Sequence, residues 1–174
     1  MPCSLCGAQN VNKTTCPFNP ESKRTDPALH LLEPRPGVTI KIEDYPQIMS
    51  PVQGEWFDEI VAQRKDVEGR ASAKGKFDPH IGRIVQLSGA TPASNGELPT
   101  ILVLITDVRH YPDLDTYIAG EGWQRIAPHM GSNKKTREAY LGIMMPDGKQ
   151  QVFSPERVAK RGGINGVELV IIRH

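Results

Sequence analysis

The chain has 174 residues and a mass of 19.2 kDa, with 38% hydrophobic and 24% charged residues. This length supports one well-buried domain with an appendage and excludes two full-size domains, while the composition excludes wholesale disorder. A formal net charge of +1, from 21 Lys and Arg against 20 Asp and Glu, excludes a positive field over the whole molecule. Any site for a polyanion must therefore be a local patch.

Residues 1–36 are predicted to form an extended arm, because they hold all three cysteines, six of the 15 prolines and few residues able to build a core. The opening MPCSLCGAQN lacks the apolar stretch of a secretory signal. The longest aliphatic run, Ile101–Ile105, is far shorter than the ~20 apolar residues of a membrane span. These features predict no membrane partner and a reducing compartment, the cytoplasm or the nucleus, with thiols free or metal-bound.

The arm contains a potential metal site. Cys3 and Cys6 form a C-x2-C pair, the spacing at which two thiolates bind one tetrahedral zinc ion, and Cys16 follows after nine residues. The string CSLCGAQNVNKTTCP resembles the zinc knuckle, C-x2-C-x4-H-x4-C, but Val11 occupies the histidine position and cannot coordinate a metal. His30 is the nearest replacement. The arm is predicted either to bind zinc through Cys3, Cys6, Cys16 and His30 or to be a relic that binds nothing.

From Gly37 onward the hydrophobic pattern predicts a strand, a helix and a hairpin. Alternation at 38–42 indicates a strand, and apolar residues at helical spacing over 56–61 indicate a helix with Trp56 in the core. The β-rich runs 81–87 and 100–108 flank a segment rich in glycine and proline, which predicts two strands joined by a long loop.

The second half of the chain predicts three short helices and a last strand. Helices are expected around 114–118 and 136–143, and a third begins at Ser154-Pro155-Glu156 and stops at Gly162-Gly163. Residues 167–172 are apolar on both faces, so this strand is predicted to lie centrally in its sheet. The predicted fold class is α+β.

Six short motifs follow one another in residues 37–174, about four-fifths of the chain: Glu55–Ile60, Arg64–Arg70, Ile81–Val85, Thr106–Leu114, Glu138–Tyr140 and Gly166–Ile171. In this order they resemble the ASCH domain, with Arg64–Arg70 matching its G-x-K-x-x-E-x-R element. Two positions depart from the family pattern, since Gln63 replaces a glycine and Arg83 an aspartate. The resemblance implies a small, mixed, PUA-like β-barrel with several short helices over 37–174, preceded by the 1–36 arm.

Two segments carry local positive charge. In the first, five cations face only Asp66 and Glu68, namely Arg64, Lys65, Arg70, Lys74 and Lys76. If this segment is extended, Glu68 and Arg70 share a face, where a bidentate pair would fix the guanidinium for a phosphate or a base edge. Alternatively, this segment is a solvent-exposed stretch of charged residues, and Glu68 and Arg70 form an ordinary surface ion pair.

The second segment, residues 123–137, contains no acid. Trp123 is predicted either to be a core anchor or to stack on a base. The cations of this segment are Arg125, Lys134, Lys135 and Arg137.

The resemblance and the two basic segments predict binding of RNA, single-stranded nucleic acid or a modified nucleotide, with no cofactor apart from zinc. The predicted contacts are Arg64, Lys65, Glu68, Arg70, Lys74, Trp123, Arg125, Lys134, Lys135 and Arg137. Because some ASCH-like proteins hydrolyse acylated nucleosides or RNA, the first alternative is a hydrolase with Lys65 as the reactive amine and Glu121 as the acid. Glu68 stands where such amidohydrolases have a hydroxyl, which counts against that alternative. The second is a protein-interaction adaptor.

Overall fold

The computed structural model describes residues 3–6, 14, 16, 18–21 and 36–172. The chain divides into two compact units. The first combines Met1–Val61, His80–Asp107 and Leu169–His174, and the second combines Ala62–Pro79 with Val108–Glu168. The domain boundary after residue 36 stays a prediction, because residues 22–35 lie outside the described part.

The predicted α+β class is confirmed by a curled, antiparallel half-barrel sheet of four strands with several short helices. The strands are β1 (Val67–Ala71), β2 (Ile84–Ser88), β3 (Thr100–Tyr111) and β4 (Ile164–Ile171), in the order β1-β4-β3-β2. The β2–β3 pair confirms the predicted hairpin, with Ile84 opposite Leu104. The inner position of β4 confirms the inference from its apolar faces.

The helices are α1 (Gly54–Val61), α2 (Leu114–Glu121), α3 (Trp123–Ile126), α4 (Asn133–Gly142) and α5 (Pro155–Arg161). Trp56 of α1 is buried, as predicted. Ser154 caps α5 by accepting a hydrogen bond from the backbone N–H of Arg157, and Gly162 ends the helix in the left-handed conformation. The predicted start and stop signals of α5 are therefore confirmed.

The strand predicted over 38–42 is wrong. This segment is irregular, and a short 3-10 helix follows at Ile42–Asp44. Ile40 and Ile42 pack against the core of the first unit, so the alternating side chains gain burial without sheet pairing. The chain pairs further on instead, where Gln47 bridges to Gln86 and Val52 to Gly89 along the edge of β2.

The first unit buries part of the cysteine-rich segment in its core. Its core cluster contains eight buried residues: Cys3, Cys16, Phe18, Tyr45, Ile84, Leu102, Leu104 and Ile172. The hydroxyl of Tyr45 donates a hydrogen bond of 3.0 Å to the carbonyl oxygen of Phe18, and burial raises the pKa of Tyr45 to about 12. The described part of the segment before residue 22 is thus integrated into this unit.

In the second unit, two glycines let α2 approach the sheet closely. Gly69 of β1 and Gly166 of β4 are directly opposite each other. A Cβ at Gly69 would lie 2.8 Å from the hydroxyl oxygen of Tyr117, and one at Gly166 would lie 2.7 Å from Glu121 Oε1. Tyr117 and Glu121 of α2 therefore occupy the space that two side chains would otherwise fill.

We expect Gly166→Ala to lower the free energy of unfolding by about 1–3 kcal/mol, because the added methyl group overpacks the contact with Glu121 and Tyr117. Urea denaturation measures the change. Gly142→Ala is the matched control, since nothing lies within 4 Å of its new Cβ, and it should be neutral or slightly stabilising. Equal stability of the two variants would contradict the close packing at Gly166.

Candidate functional site

Lys65 is the most deeply buried charged residue of the second unit, with 0% of its side chain exposed. Its Nζ donates hydrogen bonds to the carbonyl oxygens of Val67 and Ile126, the latter at 2.8 Å, and lies 3.2 Å from Glu68 Oε2. Burial lowers the pKa of Lys65, and the Glu68 carboxylate acts in the opposite direction. The three acceptors match the three donors of an ammonium group, which links β1 to the end of α3.

Glu68 and Arg70 lie on one face of β1, as the alternation predicted. Arg70 Nη2 is 3.1 Å from Glu68 Oε1, and only 18% of the Arg70 side chain is exposed. This contact is a single ion pair and not the predicted bidentate one, because the N–H groups are not aligned with the carboxylate. Among the described residues, neither Nε nor Nη2 of Arg70 has a hydrogen-bond partner. The guanidinium is thus held in place with donors left over.

Glu121 lies in a second group of charges beside α2 and α3. Arg109 donates to both of its oxygens, from Nε at 2.7 Å and Nη2 at 2.9 Å, and the Tyr111 hydroxyl donates to Oε1 at 2.8 Å. Burial and this hydrogen bond raise the pKa of Tyr111 to about 12. Arg125 also contacts Glu121, at 3.3 Å. Both Glu121 oxygens are therefore occupied by donors of the protein itself.

Arg125 extends this group to two further acids. It donates to Asp66 at 3.0 Å from Nε and to Glu168 at 2.7 Å from Nη2, and Arg109 also reaches Glu168, at 2.9 Å. Four cations thus meet four acids, namely Lys65, Arg70, Arg109 and Arg125 with Asp66, Glu68, Glu121 and Glu168. Three of the nine cations that the sequence indicated, Lys65, Arg70 and Arg125, are therefore paired with acids of the same unit.

The other predicted contacts lie at the surface of the second unit. Arg64, Lys74, Lys134 and Lys135 are exposed. Arg137 is also exposed and forms an ion pair of 2.6 Å with Asp115. Trp123 is half-buried, between the two predicted outcomes of core anchor and stacking platform.

A polar chain that the sequence did not indicate runs from His110 to β1. Nδ2 of the fully buried Asn165 donates to the carbonyl oxygen of Ala73 at 2.9 Å and to Ser72 Oγ at 2.7 Å. Because two backbone carbonyls accept from Nδ2, Oδ1 is the atom that faces His110 Nδ1, at 3.1 Å. Nδ1 therefore carries the proton in this contact, and Asn165 fixes the orientation of the imidazole ring.

The three cysteines converge in the first unit. Their Sγ atoms lie within 4.8 Å of one another, close enough to bind one metal ion. Although burial acts in the opposite direction, hydrogen bonds from the backbone N–H groups of Leu5 and Cys6 hold the pKa of Cys3 below its usual value. Burial raises the pKa of Cys16. His30, the predicted fourth ligand, lies outside the described residues.

Sequence reasoning missed Arg109, Tyr111 and Glu168. The signal for the first two was present, because β3 continues to Tyr111 and its alternation places Arg109 and Tyr111 on one face. Glu168 had no such signal, since its partner Arg109 is 59 residues away.

Comparison with known proteins supports the fold alone. No family model and no curated protein match the chain. The crystal structure of hypothetical protein PH0355 is 21% identical, covers 70% of this chain and 95% of its own, and has a TM-score of 0.51. The solution NMR structure of protein PF0455 from Pyrococcus furiosus is 17% identical, covers 72% of this chain and 100% of its own, and has a TM-score of 0.45. Neither name states an activity.

No helix in the described ranges combines the length and apolar character needed to cross a membrane.

We expect Lys65→Met to lower the free energy of unfolding by about 3–5 kcal/mol, because Glu68 and two carbonyl oxygens lose a buried cationic partner. Urea denaturation measures the loss, and adding Glu68→Gln should recover part of it. Lys149→Met, at an exposed turn, is the control. A loss below about 1 kcal/mol would contradict the burial of this ion pair.

Proposed function

We propose that this protein binds RNA through its second unit and that Arg70 receives a phosphate group or a base edge. The observation that carries this proposal is the mostly buried Arg70 guanidinium, whose Nε and Nη2 have no hydrogen-bond partner among the described residues. Leaving buried donors unsatisfied costs about 1–3 kcal/mol, so such donors favour a ligand that accepts from them. The planar fork of an arginine fits phosphate and base edges.

The neighbours of Arg70 support this role. Glu68 holds the guanidinium from one side, and Lys65 in turn holds Glu68. This fixed arrangement reduces the entropy that Arg70 would lose on binding. The negative charge of Glu68 is already matched by Lys65, so Arg70 keeps a net attraction for an anion.

We further propose that residues 37–174 form an ASCH domain of the PUA-like group. The half-barrel sheet and the likeness in fold to PH0355 support this assignment. So does Gln63, where the family pattern has glycine. Its φ of 59° is left-handed, a conformation that glycine adopts easily and that costs other residues about 1–2 kcal/mol. A glycine-compatible backbone at the position of the family glycine supports the assignment.

The hydrolase alternative has less support in the geometry. A reactive amine must lose a proton and reach its substrate. Although burial lowers the pKa of Lys65, its Nζ is fully buried and donates to two carbonyl oxygens. Glu121 is likewise engaged by Arg109, Tyr111 and Arg125. We therefore propose that Lys65 and Glu121 position neighbouring side chains and take no part in a chemical step.

For the first unit we propose a zinc ion held by Cys3, Cys6, Cys16 and a fourth ligand, for which His30 is the candidate from the sequence. The convergence of three sulfur atoms within 4.8 Å supports a tetrahedral thiolate-rich site. Zinc would add a structural cross-link, and because Cys3 and Cys16 belong to the core cluster, this cross-link would stabilise the first unit.

The experiment that tests RNA binding uses Arg70→Lys, which keeps the charge and removes the planar fork. We expect it to weaken binding of a labelled single-stranded RNA about tenfold, equivalent to ~1.4 kcal/mol. Fluorescence anisotropy over a salt series gives the affinity and its slope on a log-log plot. The slope should stay the same, because the number of cations is unchanged.

Arg70→Ala then separates the two ligand groups. A slope reduced by about 0.7 indicates a phosphate, and an unchanged slope indicates a base edge. Lys149→Ala is the control, and urea denaturation verifies that each variant is folded. Wild-type protein without salt-dependent RNA binding, or an Arg70→Lys variant that binds like wild type, would refute the proposal.

For zinc, we expect about one equivalent per chain by elemental analysis of protein purified without chelator. Removing the metal should lower the Tm, since Cys3 and Cys16 lie in the core cluster and Cys6 packs against it. His30→Ala should weaken zinc binding, whereas the control His129→Ala should not. Less than a tenth of an equivalent in the wild type would exclude the site.

A further inference from the structure

We propose that five cations from two distant segments form one surface that binds the phosphates of the RNA backbone, and this inference rests on the proposed function. The surface, called the β1–α5 surface, consists of Lys74, Lys76, Arg157, Lys160 and Arg161. Lys74 and Lys76 follow β1, and the other three belong to α5. Apart from Lys74 and Lys76, none of them stood out in the sequence.

The backbone brings the two segments into contact. A Cβ at Gly162 would lie 3.3 Å from the Cα of Ala73, and the backbone N–H of Ser72 donates to the carbonyl oxygen of Gly163 at 3.0 Å. Asn165 stabilises this contact, because its Nδ2 donates a hydrogen bond of 2.9 Å to the carbonyl oxygen of Ala73. Lys74 directly follows Ala73, and Arg161 directly precedes Gly162. Their side chains therefore project from adjoining points of the surface.

The charges of this surface are not compensated within the described part of the chain. Lys74, Lys76, Lys160 and Arg161 are exposed, and none of the five cations forms an ion pair with a described residue. Asp78, two residues after Lys76, and Glu156 of α5 form no ion pair with a described residue either. This contrasts with Lys65, Arg109 and Arg125, whose charges are matched by acids of the second unit.

The arrangement on α5 is unfavourable for the free protein. Arg157 lies three residues before Lys160 and four before Arg161, the spacings at which side chains meet on a helix. Like charges at these spacings destabilise a helix by about 0.2–0.5 kcal/mol per pair, which the negative end of the helix dipole only partly offsets. Moreover, Arg157 Nε is buried without a hydrogen-bond partner among the described residues. A bound polyanion would relieve the repulsion between these cations.

Buried contacts connect the segments of the β1–α5 surface to Arg70. Arg70 is opposite Asn165 across the β1–β4 pair, and residues opposite each other share a face. Ser72, which directly follows β1 two residues after Arg70, accepts from Asn165 and donates to the Arg70 carbonyl oxygen. A strand of RNA on the β1–α5 surface can thus present one group to Arg70 while its phosphates contact the lysines.

A nucleic acid fits this surface better than a membrane does. The large apolar side chains that are exposed in the described ranges are Val61, Leu98 and Met144, and none belongs to the β1–α5 surface. Interfacial membrane binding needs apolar groups that enter the lipid beside the cations. A phosphodiester backbone needs cations alone for its nonspecific affinity.

The test compares two double variants that each remove two positive charges. Lys160→Ala/Arg161→Ala changes the β1–α5 surface, and Lys41→Ala/Lys149→Ala removes two exposed lysines elsewhere. We expect the first to weaken RNA binding at low salt and to reduce the log-log salt slope by about 0.7–1.4, and the second to leave the slope unchanged. Urea denaturation verifies that both are folded, and anionic lipid vesicles serve as the competing probe.

The outcomes separate this inference from the function on which it rests. If wild type binds RNA and Arg70→Lys weakens it, but both double variants keep the wild-type slope, the β1–α5 surface is refuted and the Arg70 site stands. If wild type binds no RNA, the proposed function itself is refuted. Vesicle binding that Lys160→Ala/Arg161→Ala abolishes, without RNA binding, would assign the surface to a membrane and overturn the inference.

Discussion

The burial of the Lys65 ammonium is the constraint on which the second unit depends. A charge removed from water is tolerated only when paired and hydrogen-bonded, so β1 must supply Glu68 and the Val67 carbonyl, and α3 must end where Ile126 can accept. These three contacts lie at the start of β1 and at the end of α3. Glu68 also forms an ion pair with Arg70, so the carboxylate that pairs with Lys65 positions the Arg70 guanidinium as well.

The sheet of the second unit separates two kinds of chemistry by face. On one face the paired glycines leave room for Tyr117 and Glu121. This face is therefore occupied by the packed α2 helix, and the arginines around Glu121 neutralise its charge. On the other face Arg70 and Asn165 stand opposite each other, with spare donors on the arginine. Strand alternation alone produces this division, because neighbouring residues of β1 project in opposite directions.

Local patterns were sufficient to predict most of the fold, since periodicity, helix caps and turn residues indicate where most strands and helices lie. They failed at 38–42, where alternation reflects packing of Ile40 and Ile42 against a core and not pairing with a strand. Glu68 and Arg70 could be placed together because both lie on one strand. The ion pair between Arg125 and Glu168 could not be predicted, because 43 residues separate them in the sequence and only the folded sheet brings them together.

The Gly69–Gly166 pair also specifies how β1 and β4 align. If β1 slipped by one residue against β4, its side chains would exchange faces, and Glu68 and Arg70 would project at the ring of Tyr117. The Glu68 and Arg70 side chains would not fit there, because the Tyr117 ring packs so closely against β1 that only a glycine leaves room for it. The two glycines therefore disfavour a one-residue slip of β1 against β4, and this fixes the face from which the Arg70 guanidinium projects.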